Sequence, residues 1–191
     1  MNKISMLTLA TLSMAASNVA MAETDRTGAY IGAQVGAFSS DQTHKTSSNA
    51  SDSGSGQSYG VYGGYHFNEW FGLESTLYFT NDFIDRKDTR VHLGSYSITP
   101  KVTFALNDTF SLYGKAGIEY VSVSSKSGKT TTDFSDYAFV VGAGINAAIT
   151  DSLNVRLGYD YSSVDLKEDK SNATVIEMDM SNVTLGLHYQ F

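Results

Sequence analysis

Beyond residue 27 apolar and polar residues alternate with a period of two, in eight blocks separated by polar or turn-forming stretches. Such a period places successive side chains on opposite faces of an extended strand. The blocks are Gly28–Phe38, Ser58–Phe67, Phe71–Thr80, Val91–Leu106, Phe110–Val123, Tyr137–Ile149, Leu153–Val164 and a last one ending in Val183–Phe191. Each has a single apolar face. In the first, Ala29, Ile31, Ala33, Val35 and Ala37 oppose Tyr30, Gly32, Gln34 and Gly36; in the seventh, Leu153, Val155, Leu157, Tyr159 and Tyr161 oppose Asn154, Arg156, Gly158, Asp160 and Ser162. Pro100 breaks the fourth block chemically, because it has no N–H to give a ladder, so a bulge or an unpaired site is expected there.

The connections alternate in length. Short turns at Asn68, Asn107 and Thr150 recur every 39 to 43 positions, and each is followed by an apolar–x–apolar triplet. Between them, residues 39–57, 81–90, 124–136 and 165–175 are rich in Ser, Thr, Gly, Asp, Asn and Lys and read as long loops. Short turns on one side and long loops on the other are the asymmetry of outer-membrane barrels. An open sheet would leave unpaired backbone at its edges, which neither lipid nor water tolerates well. The expected fold is therefore all-β: a closed eight-stranded antiparallel up-and-down transmembrane β-barrel. Its apolar faces meet lipid, and its small and charged faces meet the lumen. Tyr65, Phe67, Trp70, Phe71, Phe110, Tyr189 and Phe191 fall near strand ends, where aromatic rings form a membrane-interface girdle. A soluble barrel with the apolar face inward would put its Gly-rich face in water, a poor use of glycine in strands.

The N-terminus refines the location. Met1–Ala22 has one cation, Lys3, then a short apolar core and Ala20-Met21-Ala22 before Glu23, the form of a secretory signal peptide. The expected division is residues 1–22 as signal peptide and residues 23–191 as one barrel domain. Cleavage leaves 169 of 191 residues and, with Lys3 gone, 12 basic against 20 acidic side chains, a net charge of −8. That balance offers no basic patch for nucleic acid. With no Cys there is neither a disulfide framework nor a thiolate metal site.

Several segments, taken as an ordered set, resemble the OmpA-like eight-stranded transmembrane domain. They are Ala29-Tyr30-Ile31-Gly32-Ala33-Gln34-Val35-Gly36, Gly63-Gly64-Tyr65-His66-Phe67-Asn68 leading to Gly72-Leu73-Glu74, Leu112-Tyr113-Gly114-Lys115-Ala116-Gly117 and Val155-Arg156-Leu157-Gly158-Tyr159. The resemblance extends over nearly all of the mature chain but includes no periplasmic peptidoglycan-binding domain. The end, Val183-Thr-Leu-Gly-Leu-His-Tyr-Gln-Phe191, resembles the C-terminal signature by which the assembly machinery reads such barrels. Leu185, Leu187, Tyr189 and Phe191 would carry that signal. The resemblance also implies a lumenal cluster linking Glu74, Arg156 and Lys101. Where the family has a further inward Glu, this chain has Asn146.

On spacing alone, Glu74, Lys101, Lys115, Glu119, Arg156 and Asp160 fall on inward faces, three charges of each sign. Unpaired burial would be costly, so pairing is expected. A structural plug is preferred to a gated pore, since eight strands leave a lumen just filled by side chains. None of His44, His66, His92 and His188 stands in a nucleophile–base arrangement, and no metal-ligand spacing occurs. The chain is therefore expected to be no enzyme and to have no catalytic, cofactor-binding or metal residues. The expected function is structural or surface-interacting, with weak passage of small solutes or ions as a further capability. A loop-borne adhesin or receptor is the alternative, and a lipid-modifying barrel enzyme ranks below both. Expected partners are outer-membrane lipid and lipopolysaccharide, the barrel-assembly machinery and an extracellular ligand at the loops. The expected state is a monomer in the outer membrane of a Gram-negative cell.

Overall fold

The computed structural model describes residues 27–44, 51–81, 84–86, 89–127, 130–168 and 174–191, so the signal segment lies outside the described residues. The strands are β1 (Gly28–His44), β2 (Ser51–His66), β3 (Phe71–Thr80), β4 (Ile84–Arg86), β5 (Thr89–Ala105), β6 (Phe110–Ser127), β7 (Thr130–Ala148), β8 (Leu153–Glu168) and β9 (Thr174–Gln190). Each pairs antiparallel with its neighbours, and β1 also pairs with β9. The β3–β5 pairing closes the ring of eight long strands, leaving β4 as a three-residue hairpin arm on β5. The closed eight-stranded antiparallel barrel is the fold the alternation predicts.

The three short turns share one device. Asn68 Oδ1 accepts the backbone N–H of Trp70 at 3.1 Å and of Phe71 at 2.7 Å. Asn107 Oδ1 does the same for Thr109 and Phe110, at 2.9 and 2.7 Å. Thr150 Oγ1 accepts from Ser152 and Leu153, at 3.4 and 3.0 Å. A short polar side chain thus satisfies the donors that the reversal leaves free. This explains why the repeat begins with Asn or Thr each time.

Pro100 is absorbed by a locally unpaired site. Its β3 side keeps the Leu73↔Pro100 pair, while on the β6 side pairing lapses between Ile98↔Ile118 and Lys101↔Lys115 without a change of register. Gly117 makes this possible: a Cβ there would lie 2.9 Å from Thr99 Cα, so the strands close up where only glycine fits.

Register sets the tilt. The paired positions Gly28, His66, Gly72, Lys101, Lys115, Gly142, Asp160 and Asn182 lead once around the barrel and return to β1 at Phe38, ten residues from the start. A stagger of that size in eight strands means a tilt of about 40°, so each residue climbs about 2.5 Å along the axis. About ten residues then cross an apolar band about 25 Å tall. The long strands other than β3 have 16 to 19 residues and therefore project well beyond it.

This corrects the expected long loops. Most of residues 39–57, 124–136 and 165–175 continue the ladder as strand, and part of 81–90 forms β4 and the start of β5. Apolar-out alternation stops marking strands where the outer face meets water, although the backbone hydrogen bonds go on. The polarity of the wall inverts at that level. Outward residues change from Ala37 to Ser39, Tyr120 to Ser122, Tyr161 to Ser163 and Val183 to Ser181. Inward residues change the other way, to Phe38, Leu93, Val121, Val123, Val164, Met178 and Met180, which are buried together. The lumen is therefore not uniformly polar as expected: its outer third is an apolar core. Tyr59, Phe79, Tyr96, Tyr120, Tyr137 and Tyr161 are exposed near this boundary, where interfacial aromatics belong. At mid-wall Leu157 and Phe104 are 51% and 66% exposed while Arg156 and Lys101 are 1% exposed. That places apolar side chains toward lipid and charged ones inside.

The inversion predicts a position-dependent cost for charge on the outer wall. Leu157→Arg should destabilise the barrel by about 2–4 kcal/mol, while Ser163→Arg, past the boundary, should cost about 0–1 kcal/mol. Urea unfolding of both variants in lipid vesicles checks this; equal effects would place the boundary elsewhere.

Candidate functional site

Four strands bring the charged side chains together at one level of the lumen. Glu74 on β3 is fully buried. Its Oε2 receives Arg156 Nη1 from β8 at 2.8 Å and Lys101 Nζ from β5 at 3.3 Å; its Oε1 receives Lys115 Nζ from β6 at 3.2 Å. Tyr30 OH donates to Oε2 at 2.7 Å. Lys115 also pairs with Asp160 at 3.1 Å. Lys101 and Lys115 are direct cross-strand partners, so two ammonium groups face the same space with a guanidinium beside them. One carboxylate in contact with all three is what makes that placement tolerable.

Aromatic rings and amides complete the cluster. The Arg156 guanidinium carbon lies 4.2 Å from the Tyr62 ring centre and 4.7 Å from that of Tyr113, and Lys101 Nζ lies 4.4 Å from that of Tyr30. At these distances ring faces attract desolvated cations. Arg156 Nε donates to Asn146 Oδ1 at 3.1 Å, and Asn146 Nδ2 donates to Ser111 at 3.3 Å. A neutral amide thus serves Arg156 where the OmpA-like pattern has a carboxylate. Each lumenal ring faces a glycine across the ladder: Tyr30↔Gly64, Tyr62↔Gly32 and Tyr113↔Gly144. A Cβ at Gly32 or Gly144 would come within 2.7 Å of the facing ring, so the small residues are the space the rings occupy.

The lumen is layered along its axis. At the short-turn end a polar vestibule of about 250 Å³ is lined by His66, Thr103, Asn146, Asn154, His188 and Gln190, with Asp108 and Asp151 from the turns. His188 Nδ1 lies 3.1 Å from Tyr62 OH. The ion cluster comes next. Toward the outside follow Glu119, which accepts a hydrogen bond from Ser95, and then the apolar core. Glu119 makes no ion pair among the described residues, unlike the other five charged side chains predicted to face inward. Leu185, Leu187, Tyr189 and Phe191 all face outward on or just after β9. Among the described residues no group of three His, Asp or Glu side chains could hold a metal ion.

The alternation puts Tyr30, Tyr62 and Tyr113 on the inward face, where they are buried, but the charge pattern marks neither their contacts with the cations nor the apolar core. The core nevertheless carried a signal. Tyr30 shares parity with Gln34 and Phe38, and Lys115 shares it with Glu119, Val121 and Val123, so continuing the inward face past the last polar residue locates the core.

With this geometry in view, the likeness to known proteins is informative. A family model, the outer membrane protein beta-barrel domain, matches residues 6–191. The chain belongs to that family. A 22 kDa outer membrane protein of Rhizobium leguminosarum bv. viciae is 29% identical over 138 residues, which are 69% of this chain and 64% of the relative, so the match spans less than two thirds of the relative's length. Neisserial surface protein A shares the fold with a TM-score of 0.66 at 18% identity, over 86% of this chain and 97% of that one. Ail, the attachment invasion locus protein of Yersinia pestis, solved in complex with the heparin analogue sucrose octasulfate, does so with a TM-score of 0.53 at 19% identity, over 86% and 99%. The protein is an outer-membrane β-barrel of a Gram-negative bacterium.

The cluster predicts unequal tolerance of its two buried glutamates. Glu74→Gln leaves Lys101 and Arg156 without a counter-charge and Lys115 with Asp160 alone, and should cost about 3–5 kcal/mol. Glu119→Gln breaks no ion pair and should cost under about 2 kcal/mol. Urea unfolding followed by heat-modifiable gel mobility distinguishes them, and similar losses would contradict the central role given to Glu74.

Proposed function

We propose that this barrel is a non-conducting outer-membrane scaffold whose projecting strands form its interactive part. The observation that carries this reading is the apolar core of Phe38, Leu93, Val121, Val164, Met178 and Met180 across the outer third of the lumen. An ion crossing it would lose its hydration without replacement, at a cost of tens of kcal/mol in the Born limit. The cluster beneath is a second block, because its charges are committed to one another. Weak passage of solutes or ions therefore has less support than a structural and surface-interacting role. The two lumenal histidines, His66 and His188, give catalysis no support, because they are turned into the lumen near the short-turn end, away from any outer-leaflet substrate.

Surface recognition is favoured by the strands' extension past the aromatic boundary, which holds their ends rigidly in the outer aqueous layer. Asp41, Asp165 and Asp179 are exposed on the outer faces of β1, β8 and β9 there. These three carboxylates are unfavourable neighbours for a sulfated polyanion of the kind bound to Ail, while the same projecting strands also carry Arg90, Lys126 and Lys167. Outer-membrane lipid and lipopolysaccharide surround the apolar wall, and the barrel-assembly machinery engages Leu185, Leu187, Tyr189 and Phe191 on the last strand. Export ends with cleavage after Ala22, giving a monomeric mature barrel of residues 23–191.

Planar-bilayer recording of the purified barrel tests the proposal. Wild-type protein is expected to give no channel events, and Phe38→Ala combined with Met178→Ala to raise ion leak by thinning the core. Steady wild-type conductance would refute the closed-scaffold reading.

A further inference from the structure

Between the ion cluster and the apolar core lies a cavity of about 10 Å³, lined by side chains of β3, β5, β6, β7, β8 and β9. Four polar atoms on its lining residues have no hydrogen-bond partner among the described residues: Thr76 Oγ1, Glu119 Oε2, Asp160 Oδ1 and Asn182 Nδ2. Thr76, Glu119 and Asn182 are each more than nine-tenths buried. The other ends of two of these side chains are already engaged. Ser95 donates to Glu119 Oε1, and Ser58 Oγ donates to Asn182 Oδ1 at 2.7 Å. Asp160 Oδ1 lies 3.1 Å from Lys115 Nζ, an ion pair too poorly directed to supply a hydrogen bond. Buried polar atoms are rarely left unmet, so four around one void need an occupant.

We propose that this cavity is a binding site for one water molecule. The count of donors and acceptors decides the ligand. Glu119 Oε2 and Asp160 Oδ1 are acceptors and take the two hydrogens of a water. Asn182 Nδ2 and the Thr76 hydroxyl are donors and fill its two lone pairs. A single water satisfies all four, and the volume is about that needed for one water. A metal cation fits less well, because the Asn182 amide N–H₂ donates and cannot ligate it. The charges are also balanced without one: Lys101, Lys115 and Arg156 against Glu74, Glu119 and Asp160. Met180 lines the cavity and belongs to the apolar core as well, so this water borders the dry part of the lumen. It joins Glu119 to the Lys115–Asp160 pair and, through Lys115, to Glu74.

A crystal structure of the barrel purified from outer membranes, at a resolution that shows ordered water, tests the site. One density peak is expected, with three or four of the named atoms at about 2.6–3.2 Å. Thr76→Met, whose longer side chain reaches into the void, should lose that peak. Thr76→Val, which keeps the shape and removes the hydroxyl, should retain it with one partner fewer and serves if the methionine variant does not fold. An empty wild-type cavity would overturn the proposal. So would a peak ringed by five or six oxygens at about 2.4 Å, the signature of a cation.

Discussion

The structure depends on one buried carboxylate. Glu74 is the counter-charge shared by Lys101, Lys115 and Arg156, and among the described residues no other acidic side chain touches more than one of them. Desolvating three cations is affordable only where their charge is neutralised and their donors are used. Glu74 neutralises all three with two oxygens, helped by the Tyr30 hydroxyl and by ring faces that accept the cations without competing for the carboxylate; the donors are used except Arg156 Nη2, which has no hydrogen-bond partner among the described residues. The ion pairs tie β3, β5, β6 and β8 together across the lumen, so they resist ovalisation of the barrel as well as neutralising it.

Register brings those groups to one level. Lys101 and Lys115 lie side by side in one hydrogen-bonded row, flanked by Gly72 and Gly142, and because a row climbs ten residues per circuit, Arg156, four residues before Asp160 of that row, reaches the level of Glu74. A one-residue slip in any pair would send these side chains to the lipid face. The pairing of each lumenal tyrosine with a glycine obeys the same logic. A lumen this narrow accepts a large ring only where its partner strand presents no side chain. Closure of the sheet, choice of small residues and neutralisation of charge are thus one solution to a single packing problem.

Much of this was legible in the chain. Parity alone separated Leu157 from Arg156 and Phe104 from Lys101, because a period of two admits only two faces. Asn68, Asn107 and Thr150 marked the short turns through side-chain chemistry that the structure displays. The continuation of β1, β6, β8 and β9 beyond the membrane was not legible. There both faces change character at once, so Ser39, Asp41, Ser125 and Asp165 read as loop while their backbones remain paired. The apolar core was hidden for the same reason: Phe38, Val121 and Met178 belong to the lumenal face, whereas an apolar residue in a membrane strand invites assignment to lipid. The partners of Glu119 were also beyond reach, since three-dimensional proximity rather than spacing supplies Ser95.

A double-mutant cycle on Glu74 and Arg156 tests the central claim most directly. Unfolding free energies in vesicles would be measured for Glu74→Gln, Arg156→Met and the double variant. The account predicts that the double variant falls short of the summed single losses by about 2–3 kcal/mol, because each partner is costly chiefly when left alone. Additivity within about 0.5 kcal/mol would contradict it, showing that the carboxylate and the guanidinium are neighbours without mutual dependence.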